Sequence, residues 1–160
     1  MADHTKFKNL PSKITLDLST SNNLKVLEQL SADTVDSTLT TKQLLKYLSN
    51  GLLLSISADR EAIGFLAYRY VLDEAELDQI VIDKQFHNRG IGSVIIQTWH
   101  GLLKSRGINK VFLDVRETNT PAIKLYDKSG YKEIGRRKGY YLQNGLSIDA
   151  ILMVCDLGSV

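Results

Sequence analysis

A short glycine-containing segment has the residue types and the position needed to bind an anion. The segment Asn88–Ser93 (NRGIGS) joins a strand-like run, Ala75–Asp83, to a helix-like run, Gly90–Arg106. Helix N-termini present unpaired backbone N–H groups at the positive end of the helix dipole, and glycines let that backbone approach an anion closely. The segment is therefore built like a pyrophosphate cradle, with a plain strand-to-helix turn as the alternative. It is neither a P-loop nor the dinucleotide pattern G-x-G-x-x-G, because Ile95 occupies the third glycine position.

Titratable side chains in neighbouring elements could supply acid and base chemistry. Glu76 and Asp78 alternate with Leu77, so both carboxylates point to one face of their strand, either as a base or as a solvated polar face. Tyr126 lies on an apolar helix face, where it is either a core aromatic or a general acid. A phenol of pKa ~10 stays protonated at neutral pH and can donate a proton to a leaving group.

The elements that must position these residues follow from hydrophobic periodicity, with caps and glycines marking the ends. The predicted order is β-α-α-β-β-β-α-β-α-β-β, and its antiparallel neighbours with two βα crossovers predict an α+β fold. Strands are predicted at Lys13–Leu18, Leu52–Ser57, Ala62–Val71, Ala75–Asp83, Val111–Val115, Tyr131–Ile134 and Ile148–Val154. Helices are predicted around Leu24–Leu30, after Thr40 and Thr41, over Gly90–Arg106, and from Asn119 or Thr120 to Gly130.

Composition narrows the class of protein. With 160 residues and no linker-like segment, residues 1–160 are predicted to form a single domain. The formal net charge of +2 is too small to indicate nucleic acid as a partner, and no apolar run reaches the ~18 residues of a membrane span. The lone cysteine, Cys155, and an N-terminus without an apolar signal segment favour the cytoplasm. His4, His87 and His100 have no metal-ligand spacing, so no metal is expected.

Two motifs together resemble the GNAT family of acetyl-CoA-dependent N-acetyltransferases. The first, HNRGIG, is similar to the family pattern [Q/R]-x-x-G-x-[G/A], with Gly90 and Gly92 matching and His87 departing from the first position. The second, N-x-x-A-x-x-x-Y-x-x-x-G-[FY], is complete as Asn119, Ala122, Tyr126, Gly130 and Tyr131. The resemblance covers roughly Ile63 to Leu157. It implies the GNAT (acyl-CoA N-acyltransferase) fold, a mixed central sheet of about six to seven strands with about four helices.

The resemblance also implies a co-substrate, acetyl-CoA, and roles for particular residues. The turn residues Asn88, Arg89, Gly90, Ile91, Gly92 and Ser93 would hold its pyrophosphate. The backbone of Ile80, Val81 and Ile82 would pair with its pantetheine arm and supply an N–H to the thioester oxygen, and Asn119 and Tyr126 would contact it. Tyr126 would act as the acid toward the departing thiolate. Asp114 stands where related enzymes carry a glutamate base, with Glu76 as a rival for that role.

The acceptor is the part of the function with open alternatives. Three stretches, VLDEAEL, FLDVRETNTPAIKLY and RRKGYYLQNGLSIDAILM, resemble bacterial GNAT enzymes that acetylate the N-terminal alanine of a ribosomal protein. Tyr140, Tyr141 and Asp78 are the predicted acceptor-binding residues, with packing within the hairpin as the alternative for the two tyrosines. The segment SADTVDSTLTTKQ lacks the Phe-Pro-Trp motif of those enzymes, which keeps a small amine such as a polyamine or an antibiotic as an alternative. A non-catalytic acetyl-CoA-binding module is the second alternative. A monomer or weak dimer is expected.

Overall fold

The computed structural model describes residues 11–34 and 39–158, which form a seven-stranded sheet with helices on both faces. Residues 1–10 lie outside the described residues. They include His4 and most of the segment on which the expectation of no signal segment rests. The strands are β1 Ile14–Leu18, β2 Leu53–Ala58, β3 Glu61–Val71, β4 Glu74–Ile82, β5 Lys110–Arg116, β6 Lys132–Gln143 and β7 Leu146–Asp156. The helices are α1 Leu24–Ala32, α2 Thr41–Ser49, α3 Ile91–Ser105 and α4 Thr120–Lys128, with a 3-10 turn at Lys84–Phe86. The predicted element order and the α+β class are confirmed.

The sheet is mixed, with strand order β1-β2-β3-β4-β5-β7-β6. Strands β4 and β5 pair in parallel through the α3 crossover, while β1 to β4 form an antiparallel meander and β5, β7 and β6 pair antiparallel. Since β6 lies beyond β7, α4 crosses over β7 to connect β5 with the edge strand. The two predicted crossovers are therefore both present.

Helices cover both faces of the sheet, so neighbouring residues of the central strands pack into different layers. Phe65 and Ala67 of β3 pack with α1 and α2, in a cluster that includes Leu27 and Leu44. Leu66 and Tyr68, their immediate neighbours, pack with α3 and α4 in the larger cluster, which also contains Trp99 and Cys155. Fully burying a large apolar side chain stabilises a fold by about 1.5–3 kcal/mol. Trp99 and Cys155 are both buried.

Local sequence sets where the helices begin. Thr40 caps α2, because its hydroxyl accepts from Gln43 N while the Gln43 side chain accepts from Thr40 N at 2.8 Å. Asn119 caps α4 by accepting from Ala122 N at 3.2 Å, and Pro121 occupies the first turn. Gly90 precedes α3 with a φ of 76°. Each of these starts agrees with its predicted position.

A bulge in β4 and the parting of two parallel strands create the cleft of the molecule. Pairing with β3 passes from Ala67–Gln79 to Tyr68–Leu77, which leaves Asp78 as the extra, bulged residue. Pairing with β5 runs from Glu74–Lys110 to Leu77–Leu113. Both strands continue past that point, so the carboxyl-terminal half of β4 and the end of β5 form the two walls of an opening.

Strand β6 differs from its prediction. The sequence predicted a strand at Tyr131–Ile134, whereas the structure has one continuous strand from Lys132 to Gln143, with register shifts between Glu133 and Gly135 and between Arg137 and Tyr141. These bulges break the two-residue alternation on which a strand prediction depends. The charged run Arg136–Lys138 also masked the pattern.

Candidate active site

A cavity of about 570 Å³ lies where β4 and β5 part, between the start of α3 and α4. Most of the predicted site residues line it: Asp78, Ile80, Val81, Ile82, Asn88, Gly90, Ile91, Gly92, Ser93, Asp114, Asn119, Tyr126 and Tyr141. Glu76, Arg89 and Tyr140, which were predicted to belong to the same site, are not among the lining residues. The cavity therefore joins the two faces of the sheet, with α3 and α4 on one side and the bulge and hairpin side chains on the other.

The glycine turn places backbone donors at the edge of this cavity. Asn88 and Gly90 have φ values of 59° and 76°, a left-handed conformation that Gly and Asn adopt most readily. The first-turn N–H groups of α3 have no intrahelical acceptor, and Gly90 has no side chain to cap them. A Cβ on Gly92 would lie 3.0 Å from Leu125 Cδ2, so glycine lets the start of α3 approach α4. Arg89 instead stacks its guanidinium 5.4 Å from the centre of the Phe86 ring.

His87, the residue that departs from the family pattern, ties this turn to the preceding strand. Its Nε2 lies 2.6 Å from the Ile82 carbonyl oxygen. Asp83 holds the intervening 3-10 turn by accepting from Gln85 N at 2.9 Å. The side chain of His87 therefore fixes the path from the end of β4 to α3, while the donors that face the cavity come from the backbone.

The strand wall of the cavity consists of Ile80, Val81 and Ile82. On one edge these residues pair with Leu66, Phe65 and Gly64 of β3, and their other edge faces the cleft beyond the last β5 pair. Val81 is 2% exposed and its side chain packs with α1 and α2, so its backbone is what the cleft can use. A Cβ on Gly64 would collide with the Val81 carbonyl oxygen, so glycine is needed opposite this wall.

Tyr126 is both a core residue and a cavity residue. It is 7% exposed, and its ring packs edge-on against Tyr131 with 5.6 Å between centroids. Burial raises the pKa of Tyr126 far above its ordinary value, with nearby Tyr141 acting in the same direction. The phenol therefore keeps its proton throughout the physiological range and presents an O–H donor to the cavity.

The three candidate carboxylates have different surroundings. Asp114 lines the cavity just past the last β4–β5 pair, with Arg137 Nη1 3.4 Å from its Oδ2. Glu76 pairs with Arg69 at 3.0 Å; burial raises the pKa of Glu76, and Arg69 opposes that rise. Asp78 accepts from Tyr47 OH at 2.7 Å and from Arg69 Nε at 2.9 Å. Asp78 and Asp114 both line the cavity, whereas Glu76 does not. Asp78 is also hydrogen-bonded by Tyr47, so Asp114 is the cavity carboxylate whose contact is the arginine alone.

The two hairpin tyrosines differ in whether they line the cavity. Tyr141 lines the cavity, and the Arg116 guanidinium lies 4.9 Å from its ring centre. Tyr140 is 53% exposed and stacks instead with Arg137, at 5.2 Å. The two rings contact each other edge-on, with 5.1 Å between their centroids, so Tyr140 lies beside the cavity residue Tyr141 without lining the cavity itself.

Several residues of the site escaped the sequence analysis. Lys124 and Lys128 line the cavity from α4, and their four-residue spacing on a helix that starts at Asn119 could have indicated one basic face. Tyr47 carried no local signal, because it meets Asp78 from 31 residues away. Arg69 lies on the neighbouring strand β3, and its contact with Asp78 depends on the β4 bulge. Arg116 also lines the cavity beside Tyr141.

Two classes of feature are absent from the described ranges 11–34 and 39–158. No helix there is long and apolar enough to cross a membrane. No group of three or more His, Cys, Asp or Glu residues in this part of the chain is arranged to hold a metal ion.

Comparison with known proteins gives the family. The Acetyltransferase (GNAT) family model matches residues 22–131. The [ribosomal protein bS18]-alanine N-acetyltransferase of Salmonella typhimurium is 36% identical over 104 residues, 65% of this chain and 70% of that protein. The protein of the same name from Haemophilus ducreyi is 34% identical over 121 residues, 75% of this chain and 81% of that protein.

A solved structure agrees with the fold. The crystal structure of the ribosomal-protein-S18-alanine N-acetyltransferase from Escherichia coli superposes with a TM-score of 0.82 and 24% identity, over 92% of this chain and 96% of the other. The GNAT-type sheet with α1 and α2 on one face and α3 and α4 on the other is thus common to both proteins. Both motifs that suggested the family, at 87–92 and 119–131, lie within the matched residues. The chain therefore belongs to the GNAT acetyltransferase family and is an N-acetyltransferase.

Proposed function

We propose that this enzyme transfers acetyl from acetyl-CoA to the N-terminal α-amine of a protein, with the alanine N-terminus of a ribosomal protein as the favoured acceptor. The observation that carries the proposal is the parting of β4 and β5, which lets one cavity reach both faces of the sheet. Two relatives at 34–36% identity are named for the alanine of ribosomal protein bS18, which supports this acceptor. Such an acceptor also favours the cytoplasm as the place of reaction.

The residues around the glycine turn suit the phosphates of acetyl-CoA. The first-turn residues of α3 and the two lysines Lys124 and Lys128 of α4 line the same cavity. Backbone donors and cations together stabilise an anion more than either does alone. Asn88–Ser93 would bind the pyrophosphate, Ile80–Ile82 would hold the pantetheine arm through their backbone, and Asn119 would both cap α4 and contact the co-substrate. Acetyl-CoA supplies an activated acetyl group as a thioester.

Asp114 would act as the general base on the opposite side of the opening. An α-amine has a pKa of ~8, so near neutral pH it must lose a single proton that is only weakly held. A carboxylate can take that proton directly or through one water. Asp114 lines the cavity whereas Glu76 is paired with Arg69 outside it, which favours Asp114 for this role.

Tyr126 would donate its phenolic proton to the departing sulfur. It lines the cavity and burial keeps it protonated. The amine attacks the thioester carbon, the C–S bond breaks, the thiolate gains the proton, and Asp114 removes the excess proton of the amine. Positioned donors of this kind typically contribute about 10²–10⁴-fold to rate.

The charge balance of the acceptor side disfavours a polyamine. Arg69 bridges Glu76 and Asp78, at 3.0 and 2.9 Å, and Arg137 pairs with Asp114. Each of the three carboxylates therefore already has an arginine partner, which a polycation would have to displace. Tyr141, stacked on Arg116, offers an amphipathic surface of the kind that contacts a peptide backbone. Asp78 and Tyr140 were also predicted to bind the acceptor. Asp78 would contact it from the β4 bulge, and Tyr140 from the rim of the cavity.

A CoA-release assay against a panel of amines tests the proposal. The panel contains peptides that begin with alanine, including the ribosomal-protein N-terminal sequence, together with spermidine and free lysine. A peptide of the same sequence with a blocked α-amine is the matched control. We expect release with the free peptides and none with the blocked one. CoA release with spermidine alone would overturn the protein acceptor. If none of the amines in the panel caused CoA release, a non-catalytic acetyl-CoA-binding module would be favoured.

A further inference from the structure

The bulge in β6 has a definite geometry near the acceptor side of the cavity. Arg137 pairs with Ala150, and Tyr141 pairs with Ile148, so three residues of β6 lie opposite the single residue Asp149. Regular pairing continued from Arg137 would place Tyr141 opposite a residue nearer the hairpin turn. The bulge therefore moves Tyr141 by two residues, about 7 Å, back along the sheet.

This shift is what brings the Tyr141 ring to the cavity. Ala150 pairs with Arg116 of β5, so the Arg137–Ala150–Arg116 row marks the end of the cavity wall. From its bulged position Tyr141 stacks on Arg116 at 4.9 Å and lines the cavity. Without the bulge, the ring would lie beyond the reach of that guanidinium.

One carboxylate holds the bulge. Gly139, at its centre, has a φ of 60°, and its N–H donates to Asp149 Oδ1 at 2.8 Å. A Cβ on Gly139 would collide with Ser147 Oγ, so the bulge closes tightly over β7. A hydrogen bond to a charged acceptor is stronger than one between neutral groups. The Asp149 side chain is therefore the group that fixes the conformation of this turn of chain.

Asp149 is itself tied to the cavity wall. Its carbonyl oxygen accepts from Glu117 N at 3.0 Å, and its own N–H donates to Glu117 Oε1 at 3.4 Å. Glu117 directly follows β5, and its Oε2 lies 3.5 Å from Arg136 Nη1 on β6. The carboxylate that holds the bulge thus has a fixed position relative to the end of β5.

We propose that Asp149 is a positioning residue that sets acceptor affinity by holding Gly139 in the bulge that delivers Tyr141 to the cavity. This inference rests on the proposed function, in which that side of the cavity takes the acceptor. Asp149 acts through Tyr141 and touches no reacting group. It therefore affects binding of the acceptor and leaves the acetyl-CoA side of the cavity unchanged.

Steady-state kinetics of Asp149→Ala and Asp149→Asn test the inference. Loss of the hydrogen bond in Asp149→Ala should raise the acceptor KM about tenfold, with kcat and the acetyl-CoA KM changed by less than about twofold. Asp149→Asn keeps an oxygen acceptor and should stay within about threefold of the wild type. An unchanged acceptor KM in Asp149→Ala would overturn the inference while leaving the proposed function intact.

Asp156→Ala is the matched control. Asp156 Oδ1 accepts from Gly158 N at 2.8 Å, and Gly158 has a φ of 80°, so the contact is of the same kind at the other end of β7. Its removal should leave the acceptor KM unchanged. A rise equal to that of Asp149→Ala would mean that general loosening of β7, rather than the position of Tyr141, controls the acceptor.

A double variant separates positioning from general damage. In a Tyr141→Ala background, Asp149→Ala should raise the acceptor KM by less than about twofold, because the ring that it positions is already gone. An undiminished rise there would overturn the inference.

Hydrogen exchange of the Gly139 amide provides a readout that needs no acceptor. Exchange should accelerate by about tenfold in Asp149→Ala and be restored in Asp149→Asn. Equal exchange rates in all three proteins would overturn the inference at its first step. Failure of the wild type to acetylate any amine, with exchange behaving as expected, would instead count against the proposed function.

Discussion

The α3 side of the cleft and the β6–β7 side are held together by different kinds of interaction. The α3 side consists of backbone donors at a helix start, glycine contacts with Leu125, and buried aromatics such as Tyr126 and Trp99. Its parts are close in sequence or packed in one apolar cluster. Such an arrangement is rigid and nearly independent of the identity of exposed side chains.

The β6–β7 side depends on polar pairs between distant elements. Arg137 reaches Asp114, Arg116 reaches Tyr141, and Asp149 holds Gly139 across a bulge. Exposed ion pairs and cation–π contacts contribute little energy individually and are replaced readily. The comparison indicates that the α3 side, which we propose holds the acetyl donor, is fixed by packing. The β6–β7 side, which we propose takes the acceptor, depends more on polar contacts between side chains.

The largest effect should come from removing the phenolic hydroxyl on the α3 side. Tyr126→Phe keeps the buried ring and its contact with Tyr131, so the fold should persist. We expect kcat to fall by about 100-fold, because the leaving thiolate loses its proton donor, while acetyl-CoA affinity changes by less than about threefold. Kinetics combined with equilibrium binding of acetyl-CoA measure both quantities.

Tyr131→Phe is the matched control for that variant, since it removes the hydroxyl of the ring that packs against Tyr126. Its hydroxyl bonds to His100 at 2.8 Å inside the core. It should lower stability with little change in kcat. An unchanged kcat in Tyr126→Phe would remove Tyr126 from the acid role and leave the α3 side with a binding function alone.

The second prediction concerns the carboxylate on the opposite wall. Asp114→Asn should lower kcat/KM by about 30-fold below pH 8, where an α-amine is mostly protonated and needs a base. The deficit should shrink as pH rises above the amine pKa, since the free amine then forms without help. A pH–rate profile for wild type and variant measures the difference.

Asp114 also pairs with Arg137, so a control for loss of that ion pair is needed. Arg137→Gln removes the partner and leaves the carboxylate, and it should keep most of the activity. A uniform, pH-independent loss in Asp114→Asn, matched by Arg137→Gln, would show a structural role and return Glu76 to consideration as the base.

The two sides also differ in how far the sequence could predict them. Gly90, Gly92, Asn119 and Tyr126 lie in two short motifs with fixed spacing, and the structure brings all four to one cavity. The same local signals, caps and apolar periodicity gave the order of the helices and strands. Information contained within a few neighbouring residues is what single-sequence reasoning can use.

The acceptor side could not be predicted in the same way. The full length of β6, the pairing of Tyr47 and Arg69 with Asp78, and the stacking of Arg116 on Tyr141 all depend on bulges or on residues far apart in the chain. A bulge changes which residues share a face without leaving a distinctive residue type. For that reason Tyr140 and Glu76 were predicted to belong to a site whose cavity they do not line.

The third prediction alters the packing that brings α3 to α4. In Gly92→Val the new side chain must displace Leu125, which already lies 3.0 Å from the position of a Cβ. The start of α3 should then shift, raising the acetyl-CoA KM about tenfold with less than a twofold change in the acceptor KM. Gly101→Val, on the same helix with no atom within 4 Å of its Cβ position, is the matched control and should leave both KM values unchanged. Equal effects on both KM values in Gly92→Val would contradict the division of the cleft into two independent sides.

The smallest effect should appear in the pH dependence of stability, and it should come from the packed α3 side. His100 donates to or accepts from Tyr131 OH at 2.8 Å, packs beside the Trp99 ring, and has its pKa lowered to about 4 by burial. Between pH 6.5 and 4 the unfolded chain binds a proton at this residue that the folded chain excludes, so the free energy of unfolding falls as the pH falls. After allowance for partial exposure, the loss in the free energy of unfolding should be about 1–2 kcal/mol, complete near pH 4.

Urea denaturation at several pH values measures this loss. His100→Gln should remove most of the pH dependence, because glutamine can still bond to Tyr131 and does not titrate. If His100→Gln retained the full slope, the acid sensitivity would arise from groups other than His100, and the burial of a histidine on the α3 side would not be its cause.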